Sequence, residues 1–99
     1  MSAPGLNRSD ILVRLNALAD DVRLRILKLL KDDVELRSQE IIEKLELSQS
    51  AASRHLKQLS ATGYISERRC TGAKCYLLNP ERIDNSLKAI SSYLLGDDN

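Results

Sequence analysis

Ninety-nine residues with 42% apolar content make one small domain, and its core must be aliphatic because Phe and Trp are absent and only three Tyr occur. No apolar run approaches the roughly 18 residues of a membrane helix, and the start lacks a signal-peptide pattern, so a cytoplasmic protein with no membrane partner is expected. The net charge is only +1, but residues 48–76 carry five cations against one acid while both flanks are net acidic, the asymmetry of a polyanion-facing surface.

In chain order, residues 1–9 include Pro4 and Gly5, show no periodicity and read as a flexible tail, with residues 10–95 as the folded unit. From Asp10, the residues Ile11, Leu15, Leu18 and Ala19 mark a first helix. Asp20 and Asp21 are candidate caps for a second helix, ended by Asp32-Asp33. Val22, Ile26, Leu29 and Leu30 should face inward there, and Arg23, Arg25, Lys28 and Lys31 mostly outward. Ser38 to Leu45 carries Ile41, Ile42 and Leu45 at helical spacing, with Ser38 as N-cap. A short break at Glu46-Leu47 leads to Ser48, the cap of a fourth helix that Gly63 stops. Two short helices joined by a turn of three or four residues match a helix-turn-helix.

The fourth helix has two differently committed faces. Ala52, Leu56 and Leu59 repeat at i, i+4, i+7 and form an apolar stripe. Gln49, Ser50, Ser53, Arg54 and Lys57 occupy the rest of its circumference, with no carboxylate among them. These are donor types that bind base edges and phosphates, so Gln49, Ser50, Ser53 and Arg54 are assigned to bases and nearby phosphates and Lys57 to phosphates. After Gly63 the period changes. Tyr64 to Cys70 and Cys75 to Asn79 read as two strands joined by the loop Thr71–Lys74, a hairpin wing whose Arg68, Arg69 and Lys74 are further phosphate candidates. Asn79-Pro80-Glu81 starts a last helix carrying Ile83, Leu87, Ile90 and Leu94.

The fold class expected is mainly α (α+β): a winged helix-turn-helix of about five helices with a two-stranded wing. Such a core uses only part of the apolar surface of the terminal helices. Ile11, Leu15, Ile83, Leu87, Ile90 and Leu94 are therefore assigned to a homodimer interface, with packing solely within the monomer as the alternative. A dimer would set two recognition helices about 34–36 Å apart on double-stranded DNA.

Cys70 and Cys75 flank the hairpin loop, where they would face each other across the strands. They admit two readings: a redox- or thiophilic-metal-responsive wing, or two small strand residues in a reducing compartment. His55, the only histidine, sits beside the apolar stripe, as a boundary residue with a satisfied hydrogen bond or as a DNA or pH-sensitive group. Ser50 and Ser53 have no base-and-carboxylate partnership around them, and no Gly-x-Ser-x-Gly turn or phosphate-binding glycine loop exists, so catalysis is not expected.

Leu15-Asn16-Ala17-Leu18-Ala19-Asp20, Val22 to Leu30, Leu47 to Lys57 and Gly63-Tyr64-Ile65 together resemble the arsenical-resistance repressor (ArsR) family over about residues 12–79. The resemblance implies a homodimeric winged-helix repressor, dimerised through its first and last helices and released from operator DNA by an effector. Its DNA-contacting positions fall on Gln49, Ser50, Ser53 and Arg54, with wing contacts near Arg68, Arg69 and Lys74. Asp21 stands where the family usually has proline, and both suit a helix start. Metal-sensing members carry Glu-Leu-Cys-x-Cys where this chain has Glu35-Leu36-Arg37-Ser38-Gln39, and others use His on the final helix, where Glu81 to Leu95 has none. Neither metal site can be built, so no metal or cofactor is assigned and the effector is open. The expected function is a sequence-specific transcriptional regulator, a repressor that binds a palindromic operator through helix 49–62. The alternatives are a winged helix used only for protein contacts, or a thiol-based repressor using Cys70 and Cys75.

Overall fold

The computed structural model describes residues 6–96. Its order is α1 (Arg8–Leu18), α2 (Asp21–Asp33), β1 (Glu35–Arg37), α3 (Ser38–Leu45), α4 (Gln49–Thr62), β2 (Ile65–Cys70), β3 (Ala73–Leu78) and α5 (Pro80–Leu95). Five helices and a hairpin wing are those read from the sequence. The sheet has three strands, ordered β1-β3-β2 and antiparallel throughout. β1 is the unexpected strand. Three residues carry too little alternation to announce themselves, and they become a strand because β3 offers a free edge on which Glu35, Leu36 and Arg37 pair with Leu77, Tyr76 and Cys75.

Local chemistry explains the helix ends. Asn7 Oδ1 accepts from the Asp10 N–H at 2.9 Å, and the Asp10 carboxylate accepts from the Asn7 N–H at 3.2 Å. This reciprocal cap starts α1 at Arg8, so Arg8 and Ser9, expected in a tail, belong to the helix; residues 1–5 of that tail lie outside the described residues. Asp20 caps α2 by accepting from the Arg23 N–H at 3.0 Å. Ser38 is the first residue of α3, not its cap; Glu40 reaches back to the Arg37 N–H at 2.8 Å instead. Ser48 caps α4 as expected, accepting from the Ala51 N–H at 3.1 Å. Gly63 ends α4 with φ +84°, and a Cβ there would lie 3.0 Å from Arg82 Nε.

Ile26, Leu27 and Leu30 of α2, Ile41 of α3, Leu56 and Leu59 of α4 and Tyr64 form the centre of the core, closed on the sheet side by Leu36, Ile65 and Tyr76. Tyr64 is wholly buried, and its hydroxyl donates to the Arg14 carbonyl at 3.0 Å, tying the end of α4 to α1. Arg23 corrects the sequence expectation. Instead of facing outward it is 8% exposed, because its guanidinium donates to the Ala17 and Asn16 carbonyls, each at 2.7 Å, and closes the open end of α1.

The hairpin loop is shorter than expected. Cys70 pairs with Ala73, so Thr71 and Gly72 alone make the turn, with φ +38° and +78°. Two consecutive positive φ values give a hairpin turn whose twist matches that of the strands. The consequence for the cysteines is a shift of register. Cys75 lies opposite Arg68, so the two thiols are diagonal neighbours, joined as a disulfide with Cα atoms 6.1 Å apart.

Candidate nucleic-acid interface

α4 turns its apolar stripe inward and its polar circumference outward. Ala52, Leu56 and Leu59 are buried, whereas Gln49, Ser50, Ser53, Arg54 and Lys57 are all exposed. No carboxylate lies on that face, and the N-terminal end of the helix, where Gln49 and Ser50 sit, adds backbone dipole favourable to phosphate. Between α3, α4 and the wing lies a polar concavity of about 420 Å³, bordered by Gln39, Gln49, Ser53, Lys57, Glu67 and Lys74. The recognition helix and the wing thus share one wall of the molecule.

The three wing cations do not act as one group. Arg69 and Lys74 are direct cross-strand partners, so they share the sheet face that borders the concavity. Arg68 is paired with Cys75 and projects from the other face. There it donates to both Glu35 oxygens, at 2.7 and 3.2 Å, and this carboxylate raises the guanidinium pKa above its ordinary value. Lys74 meets Glu67 at 3.6 Å at an exposed site, a pairing that solvent screens heavily. Among the described residues Arg54, Lys57 and Arg69 have no ion-pair partner.

His55 stands directly behind this face, 5% exposed. Its Nδ1 lies 3.0 Å from Arg23 Nη1 and 3.9 Å from the Asp20 carboxylate. An arginine only donates, so Nδ1 accepts and the ring is neutral, with its proton on Nε2. Burial lowers the His55 pKa most, Asp20 raises it, and Arg54 and Arg23 lower it further. The far end of α4 is held from α5: Arg82 Nε donates to the Thr62 carbonyl and Asn79 Nδ2 to the Gly63 carbonyl, each at 2.9 Å. Periodicity could not identify Arg23 or Arg82, since Arg23 binds carbonyls of the preceding helix and the distant His55 ring, and Arg82 binds a carbonyl twenty residues away.

α1 packs against α5, and an exposed apolar surface spans them. Of the six residues assigned to a dimer interface, Leu15, Leu87 and Leu94 are exposed at 39%, 52% and 68%. Ile90 is half-buried, Ile83 packs onto the core, and Ile11 is used up inside the subunit at 3% exposure. The sequence reading passed over Leu12, Val13, Tyr93 and Leu95, which are exposed on the same two helices; an open apolar residue off the helical stripe was the available signal. Among the described residues no helix is long and apolar enough to cross a membrane. The one cluster there with ligand-type atoms close together is Glu35, Cys70 and Cys75, within 4.8 Å of one another.

A winged helix-turn-helix with an exposed, acid-free second helix is a DNA-reading architecture. The family described as "Bacterial regulatory protein, arsR family" matches residues 20–67. The chain is 38% identical over 93 residues to the arsenic resistance transcriptional regulator ArsR1 of Pseudomonas putida, covering 88% of this chain and 73% of that protein. The solved structure of HlyU from Vibrio cholerae superposes with a TM-score of 0.66 at 34% identity, covering 87% of this chain and 94% of that one. The transcriptional repressor PagR of Bacillus anthracis gives a TM-score of 0.66 at 27% identity, covering 81% and 91%. The chain belongs to the ArsR family and is a DNA-binding transcriptional regulator.

Proposed function

We propose that the chain works as a homodimeric repressor, each copy laying α4 into the major groove of one half of a palindromic operator. Residues 10–95 form the DNA-binding unit, and α1 and α5 supply the dimer contact. Gln49, Ser50, Ser53 and Arg54 read base edges and adjacent phosphates, while Lys57, Arg69 and Lys74 hold phosphates. Arg68 joins them only when Glu35 releases it. The role is non-catalytic and cytoplasmic, where the DNA is.

The observation that carries the reading is the division of α4: five polar or cationic side chains exposed together, with the apolar stripe and His55 buried behind them. The open apolar surface of Leu12, Leu15, Leu87 and Leu94 supports a second copy as its cover. Genomic fragments retained by the protein, followed by gel shifts at two salt concentrations, test it. Sequence-selective retention with a steep salt slope is expected; equal weak binding to all fragments would refute operator recognition. The relatives are transcriptional regulators, so nothing favours the winged helix as a purely protein-binding module.

A further inference from the structure

The sheet face turned away from the concavity carries a cluster that operator reading leaves unused. Cys75 sits in the central strand, and its register partners are Arg37 on one side and Arg68 on the other. Paired residues project to the same side, so the Cys75 sulfur lies between two arginine positions. Glu35 joins them, within 4.8 Å of both sulfurs. Cys75 is 3% exposed, whereas Cys70 at the strand end is only half-buried.

We infer that the Cys70–Cys75 bond is a reversible thiol–disulfide switch in the wing, in which Cys70 meets the oxidant or reductant and Cys75 is the resolving and leaving sulfur. Its regulatory consequence rests on the reading of the wing as a DNA contact. For reduction, the thiolate of a dithiol reductant attacks Cys70 Sγ, the Cys70–Cys75 bond breaks, and its electron pair leaves on Cys75. The reductant's second thiol then displaces Cys70, so the reductant ends as its own disulfide and its two electrons and two protons reside on the cysteines. For oxidation, the Cys70 thiolate attacks a hydroperoxide and yields a sulfenic acid and an alcohol or water. Cys75 then displaces the sulfenic oxygen, which leaves as water, and the disulfide reforms.

Arg37 and Arg68 flank Cys75 in register and favour a thiolate there, offset in part by Glu35, which binds Arg68 and lies close to both sulfurs; a better leaving thiolate speeds exchange. The same charges oppose a resting metal site. A divalent cation held by both sulfurs and Glu35 would sit beside Arg37 and Arg68, and would have to take Glu35 from its 2.7 Å contact with Arg68. Thiol chemistry is therefore favoured over metal binding. In the oxidised state the bond crosses the Arg69–Lys74 pair diagonally, linking Cys70 on its tip side to Cys75 on its other side. Reduction removes that cross-link and loosens the tip that carries Arg69 and Lys74, so operator affinity should fall about three- to tenfold at low salt.

The test uses reduced full-length protein given one equivalent of hydrogen peroxide, read by intact mass and by gel shift on a retained fragment. The native chain should lose two hydrogens. Cys75→Ser should stop at a trappable sulfenic acid on Cys70, and Cys70→Ser should react about tenfold more slowly. The switch is overturned if Cys70→Ser reacts as fast as the native chain, if dithiothreitol leaves the folded disulfide intact, or if both redox states bind the fragment equally. Zinc added to the reduced protein is the third arm: tight binding lost in Glu35→Gln would replace the switch with a metal site. Failure of both redox states to bind DNA would sink the operator reading, and the mass arm would still decide the thiol chemistry.

Discussion

Arg23 Nη1 meets His55 Nδ1 at 3.0 Å, joining the start of α2 to the back of the recognition helix inside the core. The same guanidinium closes the end of α1 through the Asn16 and Ala17 carbonyls. One side chain therefore fixes how three helices meet, and with them the direction in which Arg54, the neighbour of His55, faces solvent.

Arg23→Lys should destabilise the chain by roughly 2–4 kcal/mol, because an ammonium cannot span three acceptors and leaves buried groups unpaired. Arg25→Lys, at an exposed position of the same helix, should change stability by less than about 0.5 kcal/mol. Urea unfolding of the two variants checks the contrast; equal costs would contradict the role given to Arg23.

Stability should decline as the pH drops below about 6.5. Burial first, with Arg54 and Arg23 adding to it against Asp20, holds the His55 pKa below its ordinary value. An unfolded chain therefore takes up a proton near pH 6.5 that the folded chain refuses. The His55 contribution is complete above that pH and is lost as the pH falls through the depressed folded value. Asp20, whose pKa is lowered chiefly by the Arg23 N–H, acts in the same direction but only below its ordinary 3.8. Melting temperatures between pH 7.5 and 5 should show the fall, and His55→Gln should flatten it; an equally steep fall in that variant would assign the effect elsewhere.

Arg54→Ala and Arg69→Ala should weaken DNA binding in different ways. Losing Arg54 should cost about 1–3 kcal/mol on a selected fragment, and much less on random DNA. Losing Arg69 should weaken all sequences alike and reduce the salt slope by about 1. Arg68→Ala should change the slope less than Arg69→Ala, since Glu35 already neutralises it. Titrations at three salt concentrations separate the cases, and identical losses on both DNAs for Arg54→Ala would remove it from base reading.

Leu94→Glu should yield a monomer that remains folded, because this side chain is 68% exposed and supports no core contact within the subunit. Sedimentation at micromolar concentration should show half the native mass, with operator affinity reduced by tenfold or more from the loss of the second half-site. An unchanged dimer would move the interface away from the end of α5.

Helix positions, the helix-turn-helix and three of the caps were legible in the residues alone, while Ser38 proved the first residue of α3 and Asn7 the unforeseen cap of α1. Ser48, Asp20 and Gly63 act on backbone groups three to five residues away, and the stripe of Ala52, Leu56 and Leu59 repeats within two turns, so every signal is local. The outward, acid-free face of α4 followed from the same periodicity. Only the tertiary structure decided what depends on partners distant in sequence. It turned Arg23 inward toward His55, and it made a strand of Glu35–Arg37 on the free edge of β3. It also tied Arg68 to Glu35, apart from Arg69 and Lys74, and used Ile11 inside the subunit, whereas the register of the cysteines was set locally by the Thr71–Gly72 turn. A period in the chain states which side chains share a face; which carbonyl, carboxylate or strand edge waits opposite that face is set by contacts tens of residues apart.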